Sequence, residues 1–260
     1  MQLATQLAQQ TPALLWLAAM ALFTLAELAL RRAVSWRRRA VNVAAGAIVM
    51  LTILLTVPAV GAARAALYGS LGLVFNPPFL LDLYMPPALA ALTFLLVYDL
   101  GYYWFHRWQH ASPLLWRVHA VHHSETDLNA TSYARQHFLE NVLQSFALMV
   151  PLLLLVTLTP TTFAWVAIIS TFVQFFAHAA LPIHFGPLSK LLISPRLHRV
   201  HHSSDRVESD SNYASMFPVW DVIFGTYRPP APQARTGLHS GAAMLGLWSL
   251  VASPFTRRRW

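Results

Sequence analysis

The 260-residue sequence has no cysteine and few charged side chains. Without cysteine the chain can form no disulfide, thiolate zinc site, cysteine-ligated iron–sulfur cluster or covalently attached c-type haem. Charged residues make up 11% of the chain, whereas about 25% is usual in a soluble domain. Hydrophobic residues reach 56%, and the mean hydropathy is +0.47. These polar side chains are too few to cover the surface of a soluble domain. The sequence therefore predicts a membrane protein.

Lysine is nearly absent, because 17 of the 18 basic residues are arginines and only Lys190 is a lysine. The arginines flank apolar stretches, with five in the run 31–39 and three at 257–259. Arginine beside a membrane span contacts the anionic headgroups of the cytoplasmic leaflet. The net charge of +8 therefore indicates a membrane surface. Without any recognised nucleic-acid-binding motif, we expect no nucleic-acid partner.

Several stretches approach the roughly 20 apolar residues that a membrane-spanning helix needs. The predicted spans are residues 11–30, 40–60, 85–105, 140–158 and 161–180. Residues 61–84 are apolar but interrupted by glycine and proline, which predicts a re-entrant or interfacial segment. No basic region precedes the first span, so we expect a retained anchor rather than a signal peptide.

The arginine-rich loop at 31–39 sets the expected orientation. The positive-inside rule places this loop in the cytoplasm. Alternating spans then bring the two longer non-membrane segments, 106–139 and 181–240, to the same side. The predicted fold class is all-α: a polytopic membrane helical bundle of about four to six spans or re-entrant helices, with a cytoplasmic helical cap.

The histidines of these two segments carry the main functional signal. They form one HxxxH pair and two HxxHH triplets: His106 and His110; His119, His122 and His123; and His198, His201 and His202. Positions i, i+3 and i+4 share one face of a helix. We therefore expect each triplet to direct its three imidazoles at one point.

Three interpretations of these histidines compete. A lone histidine is usually a helix cap or an interfacial side chain, and this suits His239 and, less well, His137. Gathering eight buried imidazoles without a cation has a desolvation cost that nothing offsets. A bis-histidine haem needs one imidazole from each of two helices rather than triplets. Imidazole binds iron, zinc and copper, and eight nitrogens exceed the needs of one ion, which favours two adjacent metal ions.

The boxes HRWQH, HAVHH and HRVHH, in this order after paired apolar spans, resemble those of the fatty acid hydroxylase/sterol desaturase superfamily. The segments SPRLHRVHHS (194–203) and SDSNYASMFPVWDVIFGTYRPP (209–230) also resemble the family pattern. The resemblance covers roughly residues 90–230. Ala214 stands where members usually carry glycine, which is expected to loosen the turn there.

The resemblance implies a membrane-bound non-haem di-iron oxygenase with two iron ions, for which zinc can substitute in purified protein. It uses O2 to hydroxylate or desaturate a lipid such as a fatty acyl chain or sterol. The implied metal ligands are His106, His110, His119, His122, His123, His198, His201 and His202, joined by His178 and by His184 as a possible tenth ligand. No catalytic residue beyond the metal site is expected. The non-enzymatic alternative is a histidine-rich metal-handling or haem-binding membrane protein.

The resemblance also suggests three regions and a partner. Residues 1–84 are expected to form the membrane anchor, 85–240 the hydroxylase-like catalytic domain and 241–260 an interfacial C-terminal segment. The chain has no GxGxxG motif, no P-loop and no cysteine for a cluster. Electrons are therefore expected from a separate donor, such as a ferredoxin, a cytochrome b5-like protein or a flavoprotein reductase.

Polar residues near the boxes have two interpretations. They either pack a turn of the cytoplasmic cap or accept a hydrogen bond from the outer nitrogen of a ligating histidine. These residues are Asp99, Glu125, Asp127, Asp205, Asp210, Asn212, Tyr213, Trp220 and Asp221.

Overall fold

The fold is a bundle of helices with almost no strand. The computed structural model describes residues 2–32, 34–70, 72, 79–231 and 234–256, with side chains from residue 13 onward. The helices are α1 (Gln2–Ala29), α2 (Trp36–Ser70), α3 (Pro87–Ala111), α4 (Pro113–His123), α5 (Phe138–Gln144), α6 (Val150–Leu155), α7 (Pro160–His178), α8 (Pro195–His201), α9 (Arg206–Ser209), α10 (Val219–Ile223) and α11 (Leu247–Ala252). A π-helical segment, Ser145–Met149, makes α5 and α6 continuous.

Among the described residues, four helices are long and apolar enough to cross a membrane: α2, α3, the continuous helix Phe138–Leu155, and α7. The apolar part of α1, Ala13–Ala29, is shorter. Two-residue strands β1 (Phe79–Leu80) and β2 (Val156–Thr157) pair in parallel near the turn before α7. The predicted all-α polytopic membrane bundle is therefore confirmed, and the protein is an integral membrane protein.

Helix α3 continues beyond the predicted end of its span at residue 105. It ends only at Ala111, so His106 and His110 lie on its last turns rather than after it. Proline disfavours helical geometry in the residue before it, and Ser112, which precedes Pro113, is extended with ψ of 119°. The Ser112 hydroxyl then caps α4 by accepting the N–H of Leu115. A tight corner thus joins the first two histidine boxes.

Helix α2 also differs from the sequence prediction. It runs to Ser70 through Pro58 and Gly61 instead of ending near residue 60, so the predicted re-entrant segment is wrong for its first part. Membrane helices tolerate proline and glycine because neighbouring groups satisfy the freed backbone. Residues 71 and 73–78 of that segment, and 257–260 of the predicted interfacial segment, lie outside the described residues.

A buried carboxylate joins four segments at the end of the bundle that carries the 31–39 loop. Glu27 of α1 has no exposed surface. Its Oε2 accepts a hydrogen bond from the Arg39 guanidinium of α2 at 2.6 Å. Its Oε1 accepts the backbone N–H groups of Ala130 at 2.8 Å and Ala180 at 2.6 Å. Ala180 follows α7, so Glu27 fixes the end of that helix to the arginine-rich end of α2.

Replacing Glu27 should therefore destabilise the bundle. Glu27→Ala leaves the Ala130 and Ala180 N–H groups without this acceptor and leaves the Arg39 guanidinium only its 3.3 Å contact with the Thr24 hydroxyl. Breaking a buried ion pair costs about 3–5 kcal/mol. Glu27→Gln keeps one acceptor oxygen and should lose less. We expect the Tm of Glu27→Ala in detergent to fall by about 10 °C. Lys190→Ala, at an exposed position, is the control and should keep the wild-type Tm; an unchanged Tm for Glu27→Ala contradicts the assigned role.

Candidate metal centre

Nine buried histidines converge at the junction of α3, α4, α7 and α8. They form two groups, and within each group the potential ligand nitrogens lie within 4.8 Å of one another. The larger group contains His106, His110, His119, His123 and His201, and the smaller contains His122, His178, His198 and His202. All three sequence boxes and His178 thus meet at one centre.

Each HxxHH triplet divides between the two groups, which corrects the expectation that a triplet points at one place. His119 and His123 of α4 enter the larger group and His122 the smaller. In α8 the division is reversed, because His198 and His202 enter the smaller group and His201 the larger. A helix turns about 100° per residue, so i and i+4 differ by about 40° whereas i+3 and i+4 differ by about 100°. The triplet geometry therefore suits two neighbouring ions.

The two groups are in direct contact. The rings of His123 and His202 stack with centroids 4.6 Å apart. The ring centroid of His201 in the larger group also lies 5.4 Å from the centroids of both His198 and His202 in the smaller group. Two ions held by these groups would be neighbours inside one histidine shell.

Inside the shell, imidazole Nε2 atoms approach one another without an intervening donor. In the larger group the Nε2 atoms of His106 and His119 are 2.9 Å apart. In the smaller group those of His122 and His178 are 3.1 Å apart. The Nε2 atoms of His110 and His201 are buried without a hydrogen-bond partner among the described residues.

The outer nitrogens determine which inner nitrogens carry lone pairs. His106 Nδ1 donates to the Tyr213 carbonyl oxygen at 2.7 Å, and His201 Nδ1 donates to that of Ser211 at 2.7 Å. His178 Nδ1 donates to the Gln174 carbonyl oxygen at 2.7 Å, and His122 Nδ1 to that of Arg135 at 3.2 Å. A neutral imidazole that donates from Nδ1 has a lone pair on Nε2.

Carboxylates accept from two further outer nitrogens. His119 Nδ1 donates to Glu140 Oε1 at 2.7 Å, and His110 Nδ1 donates to Asp210 Oδ1 at 3.0 Å. Outer partners of this kind fix the ring orientation of metal-ligating histidines and raise their basicity. The Asp210 contact supports the interpretation that polar residues near the boxes accept a hydrogen bond from an outer histidine nitrogen. The same role of Glu140 was not predicted from the sequence, in which its only signal is that it is an acid in an apolar span.

A metal ion fits this donor set. The lone pairs of His106 and His119 face each other at 2.9 Å, an arrangement that is repulsive unless positive charge lies between them. Two nitrogens bound at right angles to one ion at about 2.1 Å are about 3.0 Å apart, which matches the observed spacings. Burial lowers the pKa of His122, His123, His198 and His202 well below the usual value, and that of His201 to about 3. The imidazoles are therefore neutral and available as ligands.

Two buried aspartates hold the loop that joins α9 to α10. Asp221 accepts the N–H groups of Tyr213 and Ala214, and Asp99 accepts those of Ser215, Met216 and Phe217. The left-handed residue is Asn212, with φ of 53°. Ala214 does not have a positive φ. The backbone at this position therefore does not require glycine. Asp99 of α3 and Asp221 of α10 therefore hold the loop so that the Tyr213 carbonyl lies against His106.

Two other histidines lie elsewhere. His184 is exposed and accepts the Gly186 N–H, so the structure does not bring this proposed tenth ligand to the centre. Helix α7 ends at His178, and the chain beyond it no longer follows the helix face that carries His178. Both ring nitrogens of His137 are engaged, one by the Leu139 N–H at the start of α5 and the other by the Val251 carbonyl oxygen.

A cavity of about 230 Å³ lies beside the histidine shell, within the bundle. Its wall includes Tyr102, Tyr133 and Gln174. The Tyr102 ring contacts His106 with centroids 5.2 Å apart, and the Tyr133 ring contacts His178 at 5.5 Å. One tyrosine of the cavity wall therefore contacts each histidine group, although no histidine is among the described lining residues.

Comparison with known proteins agrees with this geometry. The chain matches the fatty acid hydroxylase family model over residues 91–226. It is 32% identical to ornithine lipid hydroxylase OlsE of Rhizobium tropici over 174 residues, which are 66% of this chain and 52% of the relative. It is 37% identical to alkylglycerol monooxygenase of Danio rerio over 155 residues, 58% of this chain and 33% of the relative.

Alkylglycerol monooxygenase of Homo sapiens is 36% identical over 140 residues, 54% of this chain and 31% of the relative. The chain thus spans about half of the first relative and about a third of the other two. No solved structure gives a significant match. Because the family match covers just over half of the chain and contains all nine converging histidines, the chain belongs to the fatty acid hydroxylase family.

Proposed function

We propose that the protein is a non-haem di-iron oxygenase that hydroxylates a lipid in the membrane. The observation that carries this proposal is the pair of adjacent, buried, all-histidine groups in a membrane bundle. The overall reaction joins one oxygen atom of O2 to a C–H carbon of the lipid and reduces the other to water. It consumes two electrons and two protons, which a separate donor and solvent supply.

The histidine groups suit two ions of a nitrogen-binding transition metal. The five-histidine group would hold one ion and the four-histidine group the other. When bound, a pair of iron ions supplies O2 activation, because acid–base side chains cannot oxidise an unactivated C–H bond. The histidine-rich metal-handling protein remains the alternative; purified protein with about two irons and an O2-dependent lipid product excludes it.

The chain's own residues perform the remaining tasks. Outer partners such as Glu140 and the Gln174 carbonyl hold the imidazoles in their Nε2-ligand orientation. The cavity beside them holds the lipid segment to be attacked and limits access of water. Its wall reaches His106 through Tyr102 and His178 through Tyr133, so a bound chain lies next to both groups.

The relatives support lipid hydroxylation over desaturation. The relatives are named ornithine lipid hydroxylase and alkylglycerol monooxygenase, and both names describe oxygen insertion into a lipid. Since the chain spans only about half and a third of these proteins, we extend to it the reaction type and the lipid class alone.

The histidine centre is proposed to face the cytoplasm. Glu27 links Arg39 to Ala180, which lies two residues after His178. The centre therefore lies at the same end of the bundle as the arginine run 31–39, and the positive-inside rule places that end in the cytoplasm. An acidic electron donor suits this basic rim.

Removing one histidine from either group should remove metal and activity together. We expect His119→Ala and His198→Ala to lower iron content, measured by elemental analysis, and to abolish the oxidised lipid found by mass spectrometry. His184→Ala is the matched control, because this histidine is exposed and outside both groups. Retention of full iron and activity by both centre variants contradicts the site assignment.

The carboxylate behind His119 should tune metal affinity. Glu140 Oε1 accepts from His119 Nδ1 and from Gln109 Nε2. Glu140→Gln removes its charge, and loss of such an outer partner typically weakens metal binding about 10–100-fold. Chelator competition measures this, with Glu208→Gln as a control because the Glu208 carboxylate accepts from the Ser203 hydroxyl and not from a histidine. Equal affinities in the two variants would refute the role of Glu140.

The electron source can be tested on iron-loaded protein in nanodiscs. NADPH alone should give almost no turnover. Adding a ferredoxin or cytochrome b5 with its reductase should raise the rate at least about tenfold and make it fall with salt, as for charge-steered encounters. Full turnover with NADPH alone would show that no separate donor is required.

A further inference from the structure

The cavity beside the histidine shell is lined in part by polar side chains that have no hydrogen-bond partner among the described residues. The hydroxyls of Tyr102 and Tyr133 line it, and neither has a hydrogen-bond partner among the described residues. Asn141 Oδ1 is buried without a partner as well. Unpaired polar groups are costly within a membrane bundle. Three of them on one cavity indicate a missing polar ligand.

Two glutamines on the same wall are paired, whereas Gln136, Ser170 and Thr171 also line the cavity without a side-chain hydrogen bond among the described residues. Gln144 Nε2 donates to the Tyr98 hydroxyl at 2.5 Å, and Gln174 Nε2 donates to the Ser215 hydroxyl at 2.5 Å. Tyr102, Tyr133 and Asn141 come from three different segments: α3, the turn Ala130–Ala134, and α5.

The other wall of the cavity is apolar and comes mainly from α2. It includes Val49, Met50 and Ile53, together with Trp16 of α1. No Asp, Glu, Lys or Arg appears among the described lining residues. A hydrocarbon chain suits the apolar wall, whereas a charged headgroup finds no counter-ion and would have a high desolvation cost. The cavity is thus suited to an uncharged, amphipathic segment.

The unpaired hydroxyls lie close to the proposed reaction centre. The Tyr102 ring contacts His106 of the larger group, and the Tyr133 ring contacts His178 of the smaller group. A polar atom bound by both tyrosines would hold adjacent carbons of the same chain beside the histidine shell. Orientation of this kind determines which carbon meets the oxidant.

We infer that Tyr102, Tyr133 and Asn141 bind an uncharged hydrogen-bonding group of the lipid, such as an ether, ester, hydroxyl or amide, next to the carbon that is oxidised. Plain hydrocarbon is therefore a poor ligand, and a charged headgroup stays outside the cavity. This inference rests on the proposed function, because it names the substrate class of the same site.

The test compares radiolabelled octadecane, methyl hexadecyl ether and heptadecan-1-ol, which have equal numbers of heavy atoms. Binding to iron-loaded protein in nanodiscs is measured by scintillation proximity, after subtraction of empty nanodiscs. We expect the ether and the alcohol to bind about tenfold more tightly than octadecane, as one or two net hydrogen bonds provide. Equal affinity for all three probes overturns the inference.

Substitutions of the cavity residues test which side chains produce the preference for the ether and the alcohol over octadecane. Tyr102→Phe and Tyr133→Phe should each reduce the preference for the ether to about twofold or less, and Asn141→Leu should do so for the alcohol, while octadecane affinity stays unchanged. Tyr84→Phe is the matched control, because Tyr84 is 69% exposed and outside the cavity. Wild-type selectivity in all three cavity variants overturns the assignment.

The two proposals fail in different ways. Iron content, elution volume on size exclusion and O2-dependent lipid oxidation are recorded for every preparation. Wild-type protein without iron or oxidised product refutes the proposed function, whatever it binds. Wild-type protein that oxidises lipid but does not distinguish the three probes refutes only the polar-group inference.

Discussion

The close approach of unprotonated imidazole nitrogens is the constraint on which the rest of the structure depends. The Nδ1 atoms of His106, His119 and His178 donate outward, so their Nε2 lone pairs point inward and lie 2.9–3.1 Å from other imidazole nitrogens. This interior is unfavourable without a cation and favourable with one. Each outward partner therefore holds its imidazole in an orientation that could accept a cation, because it fixes both the tautomer and the ring plane.

The sequence predicted the converging histidines because helical spacing and residue type encode them. Helical repetition also explains the reciprocal division of the triplets, in which His122 and His201 cross to the opposite group. That division becomes evident once α4 and α8 face each other across the shell. The sequence did not reveal the pairing of these helices, since it depends on the corner at Ser112 and on the aspartates that hold the loop joining α9 to α10.

Other parts of the site had no readable signal. The acceptors behind His106, His178 and His201 are backbone carbonyl oxygens, which any residue type can provide. His184 looked like a further ligand by proximity in sequence, but the end of α7 at His178 separates the two. Tyr102 and Tyr133 are ordinary aromatic residues of a membrane protein until the cavity shows that their hydroxyls lack partners.

The positions of the few acidic residues show what these residues do in the structure. Half of the ten acidic residues are buried: Glu27, Asp99, Glu125, Glu140 and Asp221. Each accepts at least two hydrogen bonds, and several of the donors are backbone N–H groups of segments that carry or orient the histidines. A carboxylate can satisfy several N–H groups at once in a low-dielectric interior, where an unpaired N–H is costly. Hence the few acids of this chain serve less to wet its surface than to fasten non-helical backbone around the metal centre, which a bundle of apolar helices could not otherwise hold in place.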